Sequence, residues 1–289
     1  MATDKKFAVF ILTHGRPDNI KTLQALQKTG YTGDIYIVID NEDSRADEYF
    51  TRYGDKVLQF DKKAVAATID EADTSGDRRA ILYARHASQR FAKDLGYDCL
   101  LQLDDDYADF RYRFVKKNKL TSYSIKNFDA VCEAMLEFLY KSDALTIAFG
   151  QGGDMIGGIG SPNYRAGIQR KAMNTFFMRT DKYCDFVGRV NEDVNFYVTE
   201  GTRGGLIMST YHINCLQMQT QSNSGGMTDL YLNEGTYAKS FYTVMMAPSC
   251  VKIYPMGTAN RRLHHKVEWR YAVPKIISPK HRKTLVNSK

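Results

Sequence analysis

No apolar run in this chain approaches the roughly 20 residues needed to span a bilayer, which argues against an enzyme embedded in a membrane. The opening residues, Met-Ala-Thr-Asp-Lys-Lys, lack the hydrophobic region of a signal peptide, so a cytoplasmic protein is expected. There are five cysteines (Cys99, Cys132, Cys184, Cys215, Cys250), an odd number with no C-x-x-C pair and no Cys/His cluster. That spacing argues against a disulfide scaffold or a zinc ribbon and predicts buried free thiols. Internal repeats and domain-cutting linkers are missing too. The glycine-rich stretch Gly150–Gly167 does not follow G-x-x-x-x-G-K-[ST], so it reads as a mobile loop and not as a phosphate cradle.

What is present is enough apolar sequence, 43% of 289 residues, to bury a substantial core. Net charge is +7, and it is segregated. Residues 111–126 carry six Lys/Arg and no acid, and residues 261–289 carry nine against one Glu; elsewhere 25 basic residues face 32 acidic ones. Concentrated positive charge suits a surface that meets a polyanion, although a solvated face and an ordinary basic tail would have the same composition.

Phe7–Thr13 (FAVFILT) is continuously apolar, the pattern of a strand covered on both faces, and ends in His14-Gly15-Arg16-Pro17. Asp18-Asn19 offers an N-cap for a helix over Ile20–Lys28, which stops at Gly30. Asp34–Asp40 and Lys56–Phe60 are further strands. Small and apolar residues at Ala80, Ala84, Ala87, Phe91 and Leu95 predict a helix over Arg78–Leu95, followed by a strand at Cys99–Leu103. Phe128–Tyr140 reads as helix, Leu145–Phe149 and Asn174–Arg179 as strands, Asp193–Thr199 as helix and Leu206–Met218 as a long strand. This alternation predicts an α/β fold with a mixed, mostly parallel central sheet and ligands at the carboxyl ends of its strands. Thr13–Arg16, Asp40–Asp43 and Asp104–Asp106 all fall there.

The segment L-L-Q-L-D-D-D-Y (Leu100–Tyr107) delivers three carboxylates to the end of a buried strand. Mg²⁺ or Mn²⁺ is commonly held by one or two carboxylates plus substrate phosphates, and residues two apart on a strand point the same way. Asp104 and Asp106 are therefore candidate ligands of one ion. A triple-Asp string can also be a solvated turn or a helix cap; the apolar strand before it favours the metal.

Together these features resemble the GT-A glycosyltransferases, over roughly residues 7–220. Thr13-His14-Gly15-Arg16-Pro17 is similar to that family's first loop, Asp104-x-Asp106 to its D-x-D motif, and Gly188-Arg189-Val190-Asn191-Glu192-Asp193 to its later G-x-x-x-E-D element. The resemblance implies a nucleotide-sugar-binding half at 1–110 and an acceptor half with a basic C-terminal segment at 111–289, in one continuous domain. It implies a UDP-sugar donor contacted by Thr13, Arg16, Asp40, Asp104 and Asp105, with Arg79 or Arg85 facing the diphosphate from the helix before the D-x-D strand. Mn²⁺ or Mg²⁺ would be held by Asp104 and Asp106, with a histidine as a further ligand; His264 and His212 are the candidates, although His212 lies in an apolar strand and could simply be a core residue. Asp193, or secondarily Glu192, would accept the acceptor proton as general base. The same residues could also merely cap a helix.

The membrane helices and the Q-x-x-R-W motif of polysaccharide synthases are missing, and Trp269 is the only tryptophan. The order T-H-G-R-P, L-D-D-D-Y, N-E-D and S-N-S-G-G (Ser222–Gly226) resembles the TET-associated glycosyltransferases, a phage-centred group acting on 5-hydroxymethylpyrimidines in DNA. For a DNA acceptor, Arg111, Arg113, Lys116, Lys117 and Lys119 would contact phosphates, interleaved with Tyr112, Phe114 and Tyr123 for base stacking, and Arg261 and Arg262 would add a second contact. The loops Gly150–Gly167 and Gln219–Met227 could line a pocket for a base flipped from the duplex. A GT-A enzyme acting on a protein or cell-surface glycan, a sugar nucleotidyltransferase and a DNA-binding module without catalysis remain open, as does the oligomeric state.

Overall fold

The structure is a computed structural model that describes residues 4–166, 170–217, 228–256 and 262–274, with the side chains of 166 and 228–236 left aside. In chain order its elements are β1 (Phe7–Leu12), α1 (Lys21–Lys28), β2 (Asp34–Asp40), α2 (Ala46–Tyr53), β3 (Val57–Phe60), α3 (Lys62–Ala66), α4 (Leu82–Asp94) and β4 (Cys99–Asp104). Then follow β5 (Tyr107–Lys116), β6 (Lys119–Ser124), α5 (Phe128–Ser142), β7 (Thr146–Gln151), α6 (Pro162–Ala166), β8 (Thr175–Arg179) and α7 (Glu192–Arg203). Last come β9 (Ile207–Gln217), α8 (Thr228–Met246), β10 (Val251–Met256) and β11 (Arg262–Val267).

Nine strands form one sheet in the order β3-β2-β1-β4-β8-β7-β9-β5-β6. The β3-β2-β1-β4 part is wholly parallel, whereas β8 runs antiparallel to both its neighbours and β5-β6 is an antiparallel hairpin at the edge. The result is the expected α/β class with a mixed central sheet. The dividing line at 110/111 falls inside β5, so the sheet is continuous across both halves.

The continuously apolar strands are explained by burial on both faces. Ala8, Phe10 and Leu12 of β1, with Leu100 of β4, pack into one cluster beside α4 and α7. Val9 and Ile11, with Leu101 and Leu103, pack into the other beside α1 and α5. Each fully buried side chain of this size contributes about 1.5–3 kcal/mol. All five cysteines are free and buried, as their spacing predicts. Among the described residues no helix is long and apolar enough to cross a membrane.

Three local expectations are corrected. Helix α1 begins at Lys21 with Ile20 at its N-cap and no side-chain cap; Asp18 pairs instead with Arg45 and Arg52. Helix α4 begins only at Leu82, because Asp77 bonds the backbone N–H and guanidinium of Arg79 and holds that segment in a turn. The glycine-rich stretch, described up to residue 166, is built of two 3₁₀ turns and α6, where buried Asp154 pairs with half-buried Lys171. The elements missing from the sequence reading are α3, the β5-β6 hairpin, α6, α8 and the β10-β11 hairpin.

Candidate active site

The parallel strands end side by side, and their last residues interlock. From β1, the Thr13 hydroxyl donates to Asp105 Oδ2 at 2.6 Å, and the Arg16 guanidinium reaches Asp105 Oδ1 at 3.0 Å. Asp105 is thus a clamp between two strand ends. Burial pushes its carboxyl up, against the opposing charge of Arg16. Tyr49 on α2 fixes the same loop: its hydroxyl accepts the Arg16 N–H at 2.7 Å and lies 3.1 Å from Thr13 Oγ1. Gly15 has φ +71°, a left-handed conformation that glycine adopts without strain, and its N–H donates to Asp43 Oδ2 at 2.6 Å.

At the end of β2, Asp40 accepts from the Glu42 N–H at 3.0 Å, faces His14 Nδ1 at 2.9 Å and pairs with Lys62 Nζ at 3.2 Å. Burial works to raise its carboxyl, but His14 and Lys62 outweigh it and hold it below the usual range. Hydrogen bonding to Asp40 in turn raises the His14 imidazole, against partial burial. The sequence placed Thr13, Arg16 and Asp40 here. It gave no separate signal for Tyr49 or Lys62, which arrive from helices folded back onto the strand ends.

Thr22 on α1 builds the turn after β4. Its hydroxyl donates to the Asp104 carbonyl at 2.5 Å and accepts the Tyr107 N–H at 3.0 Å, while its own N–H donates to the Asp105 carbonyl at 3.2 Å. The three aspartates consequently diverge. Asp105 turns into the clamp, Asp104 toward α4, and Asp106 toward β9, where Gln217 Nε2 lies 3.5 Å away.

Asp104 meets Arg85, which is fully buried. The guanidinium donates through Nη2 to Asp104 Oδ1 and through Nε to Glu192 Oε1, both at 3.1 Å, and lies 4.8 Å from the ring centroid of Phe176. Arg85, one of the two arginines expected to face the diphosphate, therefore links the D-x-D strand end to the E-D helix. Arg79 is held by Asp77, outside this arrangement.

The Gly188–Asp193 loop is fixed from several sides. Gly188 has φ +75° and packs so closely on Asn195 that a Cβ would fall 2.5 Å from its Nδ2. Asn191, itself left-handed at φ 63°, stands at the N-cap without capping; its amide donates to Thr243 Oγ1 on α8 at 2.6 Å and lies 3.3 Å from His265 Nδ1. Asp193, in the first turn of α7, is buried. Desolvation and then the charge of Glu192 push its carboxyl up to about 6, while Lys239 and Arg85 work against them. Glu192 is engaged by Arg85, whereas Asp193 Oδ1 accepts the Val194 N–H at 2.7 Å.

Burial pushes Asp104 up to about 8; Arg85 opposes this, and Asp106, Glu192 and Asp105 add to it. Asp106 is raised for the same first reason, and its buried Oδ1 has no hydrogen-bond partner among the described residues. Crowded carboxylates that outnumber the two arginines beside them, Arg16 and Arg85, and an orphaned oxygen fit a hard divalent cation. Among the described residues no three His, Cys, Asp or Glu side chains converge into a metal site, and an ion held here would need ligand oxygens to complete its shell.

His212 is exposed on β9, with Thr210 as its neighbour, at a point where the pairing with β7 slips between Phe149 and Gly150; the expected core environment is absent. His264 lies on β11 with its Nδ1 at 3.0 Å from the His265 carbonyl oxygen, and it is His265 that reaches Asn191.

The basic segment 111–126 is the β5-β6 hairpin, and its arginines and lysines differ. Arg111 is bonded to Asp109, and Arg113 is partly buried and donates to the Gly152 carbonyl at 3.1 Å. Lys116, Lys117 and Lys119 are exposed at the tip, where Lys117 and Asn118 both have positive φ. Arg262 is exposed on β11; Arg261, the Gln219–Met227 loop with Ser222–Gly226, and Gly167 lie outside the described residues.

A mixed sheet whose parallel strands end at D-x-D carboxylates, tied to an E-D pair at the start of a helix, is the architecture of the GT-A glycosyltransferases, and the fold matches solved members of that class. Glucosyl-3-phosphoglycerate synthase from Mycobacterium tuberculosis with Mg²⁺ and UDP matches at a TM-score of 0.50 and 7% identity, over 92% of this chain and 88% of that one. The same enzyme with Mn²⁺ and UDP-glucose gives 0.48 and 8%, with the same coverage. The chain belongs to the TET-associated glycosyltransferases, whose family model matches residues 7–226. No protein of curated function matches it.

Proposed function

We propose that this glycosyltransferase moves a sugar from a UDP-sugar onto the hydroxymethyl group of a 5-hydroxymethylpyrimidine in double-stranded DNA, in the manner of phage DNA modification. The observation that carries the acceptor is a continuity. β5 starts one residue after Asp106 and runs outward to the lysine-bearing tip of the hairpin, so the concentrated positive charge grows directly from the carboxylate strand end. The UDP bound in the solved synthase supports the UDP-sugar donor, and the family's name supports the DNA acceptor.

In this reading the nucleoside lies over Thr13–Arg16 and Asp40, with the diphosphate toward Asp104 and Asp106. These two aspartates would hold Mn²⁺ or Mg²⁺, which supplies neutralisation of the leaving diphosphate when bound. Asp193 accepts the proton of the acceptor hydroxyl as its oxygen bonds the anomeric carbon, and the bond from that carbon to the diphosphate oxygen breaks, releasing UDP. A carboxyl raised to about 6 is ionised at neutral pH yet basic enough to help. Arg85 keeps Glu192 and Asp104 in register, so the acid that takes the proton stays aligned with the donor.

Incubation with UDP-sugars and Mn²⁺ on hydroxymethylated and unmodified duplexes, followed by nucleoside mass spectrometry, tests the proposal. A hexose or pentose adduct on hydroxymethylcytosine or hydroxymethyluracil only is expected. Donor hydrolysis without any DNA adduct would overturn the DNA acceptor and favour a glycan or protein.

A further inference from the structure

The two faces of the β5-β6 hairpin are unlike, and the difference points to a job beyond phosphate contact. Register pairs Tyr112 with Tyr123, Phe114 with Thr121 and Lys116 with Lys119 on one face, and Arg113 with Ser122 and Val115 with Leu120 on the other. The second face is braced against the glycine-rich segment at two points, although Val115 on it is 41% exposed: Arg113 donates to the Gly152 carbonyl, and Leu120 meets the position a Cβ of Gly158 would occupy at 4.0 Å. The first face is open. Tyr112, Phe114 and Tyr123 are 39%, 43% and 47% exposed. Phe114 and Tyr123 stack with centroids 5.2 Å apart and planes 10° from parallel, and Lys116 Nζ lies 5.9 Å from the Tyr123 centroid.

Exposed aromatic rings on an edge ribbon are an aggregation liability unless something covers them. The six Lys/Arg and absent acids of 111–126 select a polyanion as that partner, and rings flanked by lysines suit bases whose backbone runs past the charges. We infer that the Tyr112–Phe114–Tyr123 face stacks unpaired bases exposed when a duplex opens beside the reacting nucleotide, while the lysines hold the backbone. This rests on the DNA-acceptor reading and specifies how that acceptor is gripped. The bracing explains why a ribbon, and not a mobile loop, does it: a fixed platform loses less conformational freedom on binding.

The test compares binding to a 20-mer duplex and to the same duplex with a two-nucleotide mismatch bubble, by fluorescence anisotropy at several salt concentrations. The parent should prefer the bubble by roughly tenfold or more, the scale of aromatic–base stacking. Replacing Tyr112, Phe114 and Tyr123 together by Ser should erase that preference while leaving the salt slope in place. Replacing Lys116, Lys117 and Lys119 by Ala should weaken both duplexes alike and keep the preference. A single Tyr123→Trp variant, which perturbs the hairpin least, should keep the preference and show quenching of the new indole by the bubble beyond that of Trp269. An unchanged preference in the serine variant, or no preference in the parent, overturns the stacking role while salt-dependent DNA binding still stands. No DNA binding by the parent would remove the acceptor reading itself.

Discussion

The ends of β1, β2 and β4 and the β5-β6 hairpin lie on one sheet, yet they are built by opposite means. At the strand ends nearly every polar group is engaged: Asp105 by Thr13 and Arg16, Asp40 by His14, Lys62 and a backbone N–H, Asp104 by Arg85. At the hairpin tip the lysines and aromatic rings face solvent. The contrast separates chemistry, which needs groups held to a fraction of an ångström, from capture of a long charged partner, which needs reach and charge. Substitutions at the strand ends should therefore change turnover, and those at the hairpin should change acceptor affinity and its salt dependence.

The largest effect is expected at the D-x-D residues. Asp106→Asn should lower transfer by several kcal/mol of barrier, on the order of 10³-fold, in a steady-state assay with saturating donor, with thermal stability nearly unchanged because Oδ1 has no partner to lose among the described residues. Asp104→Asn should lose as much activity and also melt earlier, since it leaves buried Arg85 with Glu192 alone. If both variants retain full activity, the chemistry is not at this strand end.

Asp193→Asn should reduce kcat by about 10²–10⁴-fold with little change in the KM for UDP-sugar. The pH profile carries a sign. A base whose carboxyl titrates near 6 is inactive while protonated, so kcat should climb as pH rises through about 6 and then level off. Loss of the residual activity's acid limb in Asp193→Asn would tie that limb to this residue; retention of it would assign it elsewhere.

These assignments were unevenly legible in the sequence. Buried parallel strands announce themselves as apolar runs, so the positions of Asp40 and Asp104–Asp106 followed from where the runs stop. Arg85 and Arg79 look alike on paper; only the turn made by Asp77, which delays α4 to Leu82, separates a buried linker from a peripheral charge. His212 sits in an apolar strand pattern but is exposed, because residues 207, 209 and 211 of β9 fill the buried face and 212 falls with 208 and 210 on the other, an alternation that the mixed apolar and polar run obscures. The hairpin had one usable signal that went unused: Lys117-Asn118, between alternating segments, supplies the two left-handed residues of a tight turn. Helix α8 carries Gly235 and three threonines, which weaken any helical pattern.

A smaller effect should come from Thr22, which touches no substrate in this account. Thr22→Val keeps the shape but leaves the Tyr107 N–H without its buried acceptor, at a cost of about 1–3 kcal/mol by chemical denaturation. Because the same hydroxyl sets the turn that splays the three aspartates, turnover should fall along with stability. Lost stability with unaltered turnover would show that the turn tolerates displacement.

The division of labour between the two regions is tested most directly by the Lys116→Ala, Lys117→Ala, Lys119→Ala variant on two acceptors, duplex DNA and a free 5-hydroxymethylpyrimidine nucleoside, at low and at physiological salt. The account predicts a loss of kcat/KM confined to the duplex, with a salt slope flattened by about 0.9 for each phosphate contact removed. It also predicts unaltered UDP-sugar hydrolysis and nucleoside transfer. An equal loss on both acceptors, or a duplex rate whose salt slope does not change, would contradict it.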